Sequence, residues 1–396
     1  MTLTGNKQRA TTKRGPAVET KQDQTYMREA LALARRGLGQ TSPNPMVGAV
    51  IVNESRLVGL GYHTRLGAPH AEVEAIAAAG SRAAGGTIYV TLEPCNHYGR
   101  TPPCTEAIVK AGLRRVVVGM PDPNPSVIGG GAEHLIEHGL EVTQGVLESA
   151  CRELNCAFIK HVTTGMPYVT VKAGVTLDGK IATFSGQSKW VTSAESRGYV
   201  HQLRHGYDAV MVGRGTVAAD NPDLTTRLQF KMPDQIPRNP LRVIVDSQLS
   251  LPIDIQVFTN LLESRTVLAC AGHPNPEKER QLREMGVILI CTSPDQRRVD
   301  LKALLMELAR MDVSSVLVEG GGELNWSLFS QGLVDKVMFF LAPKIIGGKD
   351  AVSVVAGMGF EDMAAGIGLG PFKIIRLGHD ILVEAEVLRD SGVVFP

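Results

Sequence analysis

The 396-residue chain, 42.5 kDa, is more than twice the roughly 150 residues of a typical domain, which excludes a single small module. With 43% hydrophobic and 20% charged residues it has apolar material for more than one core, which excludes wholesale disorder. Lys and Arg number 41 against 40 Asp and Glu, a formal net charge of +1, so no overall field draws it to nucleic acid or an anionic membrane.

Residues 1–24 are polar and basic, lack the apolar stretch of a secretory signal, and are expected to form a disordered tail; transit peptides share their Arg/Ser/Thr bias. The longest uncharged stretch, residues 37–53, carries two prolines and several polar residues and is no membrane span. A soluble, cytoplasmic protein without a membrane partner is expected. Six cysteines are too few for a disulfide scaffold and should be reduced. Cys270 and Cys291 end apolar runs and are expected in the core, whereas Cys95 and Cys104 sit beside histidines and prolines.

From Thr25 short apolar strands alternate with helices: strand 47–52, a helix over about 70–79, strand 87–92, a helix after Cys104 and strand 114–120. That alternation predicts a three-layer α/β unit. One helix over about 146–161 closes it, and 164–167 reads as a linker, giving a first domain at 25–164. The second domain, 165–396, again alternates, with strands near 167–174, 208–213, 241–247, 266–270, 286–291 and 315–318, helices near 196–204, 277–285 and 300–309, then β-rich sequence.

His70-Ala71-Glu72 opens a helix, and Pro94-Cys95 and Pro103-Cys104 follow the next strand. One imidazole and two thiolates suit zinc in a catalytic site, which keeps an open fourth position. His70 and Glu72 cannot both ligate from one face of a helical turn, but Glu72 can shuttle the proton of the reacting water, the H-x-E…P-C pattern of zinc nucleobase deaminases. The cysteines lie farther apart than in that signature, and the insertion carries His97, Tyr98 and Arg100, polar and cationic groups suited to a phosphorylated substrate. The alternative is a structural zinc clip, with His97 as a fourth ligand. A second site at Cys151 and Cys156 would need His161 and is not expected.

In the second domain no G-x-G-x-x-G is present; its glycine-rich feature is Val318-Glu319-Gly320-Gly321-Gly322-Glu323-Leu324, a strand running into a helix N-terminus that favours a phosphate. Such a turn can equally be glycine chosen for geometry.

TSPNPMVGAVIV, GYHTRLGAPHAEVEAI, TLEPCNHYGRTPPCTEAIVKAG and MPDPNPSVIGGG together resemble the deaminase half of the bifunctional riboflavin-biosynthesis deaminase/reductase. KAGVTLDGKIAT, SKWVTSAESR, LRHGYDAVMVGRGTVAADNPDLTTR and RVIVDS resemble its reductase half. The resemblance implies a cytidine-deaminase-like α/β/α domain followed by a dihydrofolate-reductase-like α/β domain, with Zn2+ and NADPH as cofactors. It implies that His70, Cys95 and Cys104 bind zinc, that Glu72 is the proton shuttle, and that Asn44, His63, Arg100, Asp122 and Asn124 line the pyrimidine and ribose-phosphate pocket. Asn44 and Asn124, each in Pro-Asn-Pro, also read as turn residues.

In the reductase half the resemblance places Ser188, Arg204, Leu224, Arg227 and Glu319 on the substrate. Gly174, Trp190, Thr216, Asp220, Ser247, Gly321, Gly322, Glu323, Leu324, Asn325, Trp326 and Ser327 match cofactor positions. Arg204 and Arg227 are expected to grip a phosphate with charge-assisted hydrogen bonds. Glu319 is expected to accept from sugar hydroxyls, and Trp190 to stack on a ligand or serve as packing. Asp178 reads as a turn residue and Lys172 as pocket lining without assigned chemistry.

The implied reactions are hydrolytic deamination of 2,5-diamino-6-(5-phosphoribosylamino)pyrimidin-4-one, then NADPH-dependent reduction of the ribosyl chain to ribityl. The partners expected are that phosphorylated pyrimidine and a second copy of the chain in a homo-oligomer, with no nucleic acid. A nucleic-acid base deaminase with an accessory nucleotide-binding domain is the alternative enzyme, and a non-catalytic nucleotide sensor with a retained zinc fold the alternative of another class.

Overall fold

The computed structural model describes residues 20–98, 102–125, 130–228, 236–272, 274–293 and 297–388. It has two compact units. The first takes the chain up to Gly37 and Met46–Leu154, and the second takes Leu38–Pro45 and the chain from Asn155.

Helix α1 (Lys21–Ala34) opens the first unit inside the expected tail. Thr20 and Asp23 form a reciprocal capping box, and Arg115 donates to both Asp23 oxygens at 2.8 and 3.1 Å. Five strands follow, β1 (Gly48–Asn53), β2 (Arg56–Tyr62), β3 (Thr87–Leu92), β4 (Arg115–Met120) and β5 (Glu141–Thr143), in the order β2-β1-β3-β4-β5. Pairs β3–β4 and β4–β5 are parallel; β1 runs antiparallel to both neighbours.

The remaining helices are α2 (Ala71–Ala79), α3 (Cys104–Lys110), α4 (Gly131–Glu137) and α5 (Glu148–Leu154). Ala49, Ile51, Ile88, Val90, Val116 and Val118 pack against Ala71, Ala75, Ala79, Ile108 and Leu135 of α2–α4. On the opposite face Gly48 lies against α1, where a Cβ would come 2.0 Å from the Ala30 carbonyl oxygen. Helices on both faces explain why the central strands read as continuous apolar runs.

Strand β2 carries glycines for a packing reason. A Cβ on Gly59 would lie 2.2 Å from the Ala75 oxygen, and one on Gly61 would lie 2.3 Å from the Ala71 oxygen. These two positions let α2, and so His70, settle directly onto the sheet.

The single helix expected over 146–161 is two. Helix α5 ends at Leu154, Asn155 leaves the helical conformation at φ −110° and ψ 22°, and α6 (Cys156–Thr164) belongs with the second unit. The unit boundary therefore precedes the expected linker at 164–167, although Gly165 does end α6 in the left-handed conformation. Leu38–Pro45 also joins the second unit: Ser42 Oγ donates to Asp208 Oδ2 at 2.7 Å and Gln40 Nε2 to the Ile236 oxygen at 2.8 Å.

The second unit is built on nine strands: β6 (Tyr168–Thr176), β8 (Ala209–Gly213), β9 (Leu241–Val245), β10 (Thr266–Ala271), β11 (Ile288–Ser293), β12 (Ser315–Val318), β13 (Lys336–Ala342), β15 (Lys373–Leu377) and β16 (Asp380–Glu386). Their order is β11-β10-β9-β8-β12-β6-β13-β16-β15, parallel from β11 to β13 and antiparallel across β13–β16–β15. Strands β7 (Lys180–Ala182) and β14 (Val352–Ser353) pair separately.

Its helices are α7 (Ala194–Gly206), α8 (Arg214–Asp220), α9 (Gln256–Thr259), α10 (Pro276–Glu284), α11 (Leu301–Arg310) and α12 (Gly322–Phe329). One core holds Leu304, Leu305 and Leu308 of α11 with Val243 and Val316; another holds Val210, Ile244, Leu268 and Phe258. Cys270 is buried as expected, but Cys291 is exposed because β11 is the sheet's edge.

Candidate active sites

In the first unit the donor atoms of His70, Cys95 and Cys104 lie within 4.8 Å of one another. His70 is the N-cap of α2, Cys95 follows β3 and Cys104 opens α3. His70 Nδ1 is 3.3 Å from Cys104 Sγ and 3.6 Å from Cys95 Sγ. Zinc bonds of about 2.0 Å to nitrogen and 2.3 Å to sulfur in a tetrahedron set such an N···S edge at about 3.5 Å, so the donor set fits that ion. The expected alternative ligand His97 is exposed and is not in the cluster.

Glu72 stands in the first turn of α2 and is 3% exposed. Burial, helped by the Cys95 sulfur, pushes its carboxyl up to about 6. The thiols split: a hydrogen bond from Cys104 pulls Cys95 down to about 4, while that bond and burial push Cys104 up.

His63 is buried, with Nδ1 3.1 Å from the Pro69 oxygen and its ring set edge-on to His70 at 5.8 Å. Burial lowers its pKa. Asp122 accepts the Asn124 N–H at 2.9 Å, so the turn in Pro-Asn-Pro is made by the aspartate two residues earlier. Glu93, unremarked in the sequence, accepts from the backbone of Asp122 at 3.3 Å and of Ala132 at 3.0 Å, tying the Asp122–Asn124 loop to α4. Its signal was a carboxylate immediately before Pro94-Cys95. Asn44 falls in Leu38–Pro45 of the second unit, its N–H donating to the Thr41 oxygen at 2.9 Å. Arg100 lies outside the described residues.

Among the described residues, two clefts of the second unit take up the expected positions. The first, about 490 Å³, is lined by all five expected substrate residues, Ser188, Arg204, Leu224, Arg227 and Glu319, and by Gly174, Trp190, Thr216, Asp220 and Gly321. The second, about 660 Å³, is lined by Ser247, Glu323, Leu324 and Ser327, together with Arg214 and Arg298. Gly322, Asn325 and Trp326 line neither cleft. Helical periodicity turns them to the other face of α12, where Asn325 donates to the Val354 oxygen at 2.7 Å and Trp326 packs against Phe360.

Arg204 is already engaged within the protein at this cleft. Its Nε and Nη2 donate to the two Glu319 oxygens at 2.7 and 3.0 Å, and Nη1 donates to the Thr225 oxygen at 3.0 Å. These contacts use three of its five N–H groups, two of them on the carboxylate, and leave one on Nη1 and one on Nη2. Lys172 Nζ completes the cluster 2.9 Å from Glu319 Oε2. Burial alone would raise the Glu319 pKa, but Arg204 and Lys172 hold it well below the usual carboxylate range. Arg227 is exposed at the cleft and has no ion-pair partner among the described residues. Trp190 is 61% exposed, so it is not core packing; the Arg197 guanidinium lies 4.3 Å over its ring. Ser188 Oγ donates to Asp220 Oδ1 at 3.2 Å.

Residues 20–120 match the family model of the cytidine and deoxycytidylate deaminase zinc-binding region, and residues 167–383 match the RibD C-terminal domain. The riboflavin biosynthesis protein RibD of Actinobacillus pleuropneumoniae is 43% identical over 370 residues, 93% of this chain and 96% of that protein. The chain belongs to the RibD family.

The RibD of Escherichia coli K12 is 40% identical over 91% of this chain and 98% of its own. A solved Acinetobacter baumannii RibD superposes with a TM-score of 0.83 at 39% identity, covering 93% of this chain and 99% of that one. The diaminohydroxyphosphoribosylaminopyrimidine deaminase/5-amino-6-(5-phosphoribosylamino)uracil reductase of Thermotoga maritima does so at 0.80 and 37%, covering 92% and 99%. As a RibD, the chain is a bifunctional enzyme of riboflavin biosynthesis, with a zinc-binding deaminase domain and an NADPH-using reductase domain.

Proposed function

We propose that the first unit hydrolyses the amidine of 2,5-diamino-6-(5-phosphoribosylamino)pyrimidin-4-one and that the first cleft of the second unit holds the deaminated product for reduction. The observation that carries the deaminase assignment is a buried carboxylate, Glu72, set in the same helical turn as one of three converging zinc donors. Zinc held by His70, Cys95 and Cys104 supplies Lewis acidity that makes water a nucleophile near neutral pH. Glu72 accepts the proton of the attacking water and delivers it to the departing amine, so that water and the amidine become the carbonyl and ammonia. His63, Asp122 and Asn124, with Arg100, are the groups assigned to hold the pyrimidine and its phosphate.

In the second unit NADPH supplies the hydride. Gly174, Trp190, Thr216, Asp220 and Gly321 are assigned to its nicotinamide side and Ser247, Glu323, Leu324 and Ser327 to its adenosine side, in keeping with the clefts they line. Lys172, 2.9 Å from Glu319, lines the first cleft. Arg227, with its fork uncommitted among the described residues, is assigned to the phosphate together with Arg204, which lines the same cleft.

Glu72→Gln tests the assignment. Ammonia release should fall at least about a hundredfold with zinc retained by metal analysis. Unchanged release would overturn it. With the wild-type protein, ammonia should appear without NADPH and ribityl product only with it.

A net charge of +1 supports a small-molecule substrate over nucleic acid, and release of ammonia from single-stranded nucleic acid would favour the other reading. All six cysteines are free, as a reducing, cytoplasmic compartment would keep them, and among the described residues no helix is long and apolar enough to cross a membrane.

A further inference from the structure

Arg242 on β9 has no exposed side-chain surface, a rare place for a charge inside a parallel sheet. Its Nη1 donates to the Asn260 oxygen at 3.0 Å and its Nη2 to Asp223 Oδ1 at 3.3 Å, while its Nε has no partner among the described residues. Burying a guanidinium with an unmatched N–H opposes folding, and an apolar side chain of similar volume would serve a sheet interior as well or better. Stability does not account for Arg242. What it holds does.

Asp223 is part of the first cleft's wall, 23% exposed. Besides Arg242, its Oδ1 accepts from Asn260 Nδ2 at 3.2 Å and its Oδ2 accepts from Thr225 Oγ1 at 2.6 Å. Three donors thus fix the plane of the carboxylate, and the carboxylate fixes the loop at residues 221–227. That loop needs fixing. Leu224 is buried with φ +56°, a conformation a branched side chain keeps only where the surroundings over-determine it. The Thr225 carbonyl beside it receives Arg204 Nη1, whose fork in turn grips Glu319.

We propose that Arg242 and Asp223 are positioning residues of the reductase: their buried ion pair sets the 221–227 loop so that Leu224 and Arg227 meet the phosphorylated pyrimidine. This role rests on the assignment of the first cleft to the reductase substrate. The pair acts through the loop, and both Asp223 oxygens are already taken by protein donors.

The test compares three variants of the full-length, zinc-loaded enzyme: Asp223→Ala, the double variant Asp223→Ala with Arg242→Leu, and Arg227→Ala. Each is assayed for KM and kcat with 5-amino-6-(5-phosphoribosylamino)uracil, for NADPH Kd by fluorescence, for ammonia release and for Tm. For Asp223→Ala the expected result is a KM at least tenfold higher, with NADPH Kd and ammonia release within twofold of wild type. The double variant removes both charges, so it should regain Tm while KM stays raised.

If the double variant regains both Tm and KM, the pair is merely structural and the proposal is overturned. If Arg227→Ala raises KM and Asp223→Ala does not, positioning is overturned while the cleft assignment stands. If neither changes KM, the cleft assignment has failed and takes the proposal with it.

Discussion

Glu319 stays ionised although little of its side chain is exposed because two cations, not one, face it: Arg204 occupies both its oxygens and Lys172 adds a third contact. This cluster shows why single residues in the second unit must be read with the partners that already engage them, as Arg204 gives three of its N–H groups to Glu319 and Thr225. The same test applied to the second cleft singles out Arg214 and Arg298, both exposed and without ion-pair partners among the described residues. A cleft with two uncommitted guanidiniums suits the 2′-phosphate that distinguishes NADPH from NADH. Loss of one charge-assisted contact is worth about 1.5–3 kcal/mol, so Arg214→Ala should weaken NADPH binding about tenfold to a hundredfold while leaving NADH within about twofold. Fluorescence titration with both cofactors checks this, and parallel weakening of the two would remove Arg214 from the discrimination.

Among the elements, α1 covers one face of the sheet that carries β3 and the candidate metal donor Cys95 after it. Its anchor is Asp23, 1% exposed, which caps the helix with Thr20 and receives Arg115. Burial alone would raise the Asp23 pKa, but Arg115 and Thr20 outweigh it and bring the value below that of an ordinary aspartate. The folded-state pKa is thus lower than the unfolded one, so the contribution to stability is full above the unfolded value and is lost as pH falls through the folded value. Asp23→Ala should cost about 2 kcal/mol at pH 7 and progressively less as the pH drops below about 4, which denaturant titrations at several pH values will read. The central strands and the helix at His70 were legible because both faces of the sheet are covered and their apolar runs are unbroken. Strand β2 was not, because Gly59 and Gly61 look like breakers until α2 is laid on them. The break at Asn155 was hidden in a sequence whose periodicity continues across it. Of the candidate sites, the convergence of His70, Cys95 and Cys104 was legible from spacing, since ligand chemistry tolerates few residue types. Glu93, Lys172 and the engagement of Arg204 were not, because they depend on partners 29 to 147 residues away in the chain.

For the whole molecule, the near-zero net charge means that association must be argued from surfaces rather than fields. The nine-stranded sheet has two edges, β11 and β15. Among the described residues strand β15 pairs with β16 alone, and it exposes Ile374 at 66% beside Phe372 at 61%. Natural edges are usually blunted by charge, proline or a covering segment, and an apolar edge left open is a template for another strand. Lys373 and Arg376 place charges on this edge, but Lys373 lies 3.9 Å from Glu384 and so is partly neutralised. A second copy of the chain presenting the same edge satisfies both its apolar side chains and its free backbone groups, and a twofold axis makes the contact self-complementary. If two copies pair through this edge, Ile374→Lys brings like charges together there, and the purified variant should sediment at a lower mass than the wild type at the same concentration. Each half carries its own donors and clefts, so the variant should still release ammonia at the wild-type rate. A variant that sediments with the wild type would place the contact elsewhere on the molecule.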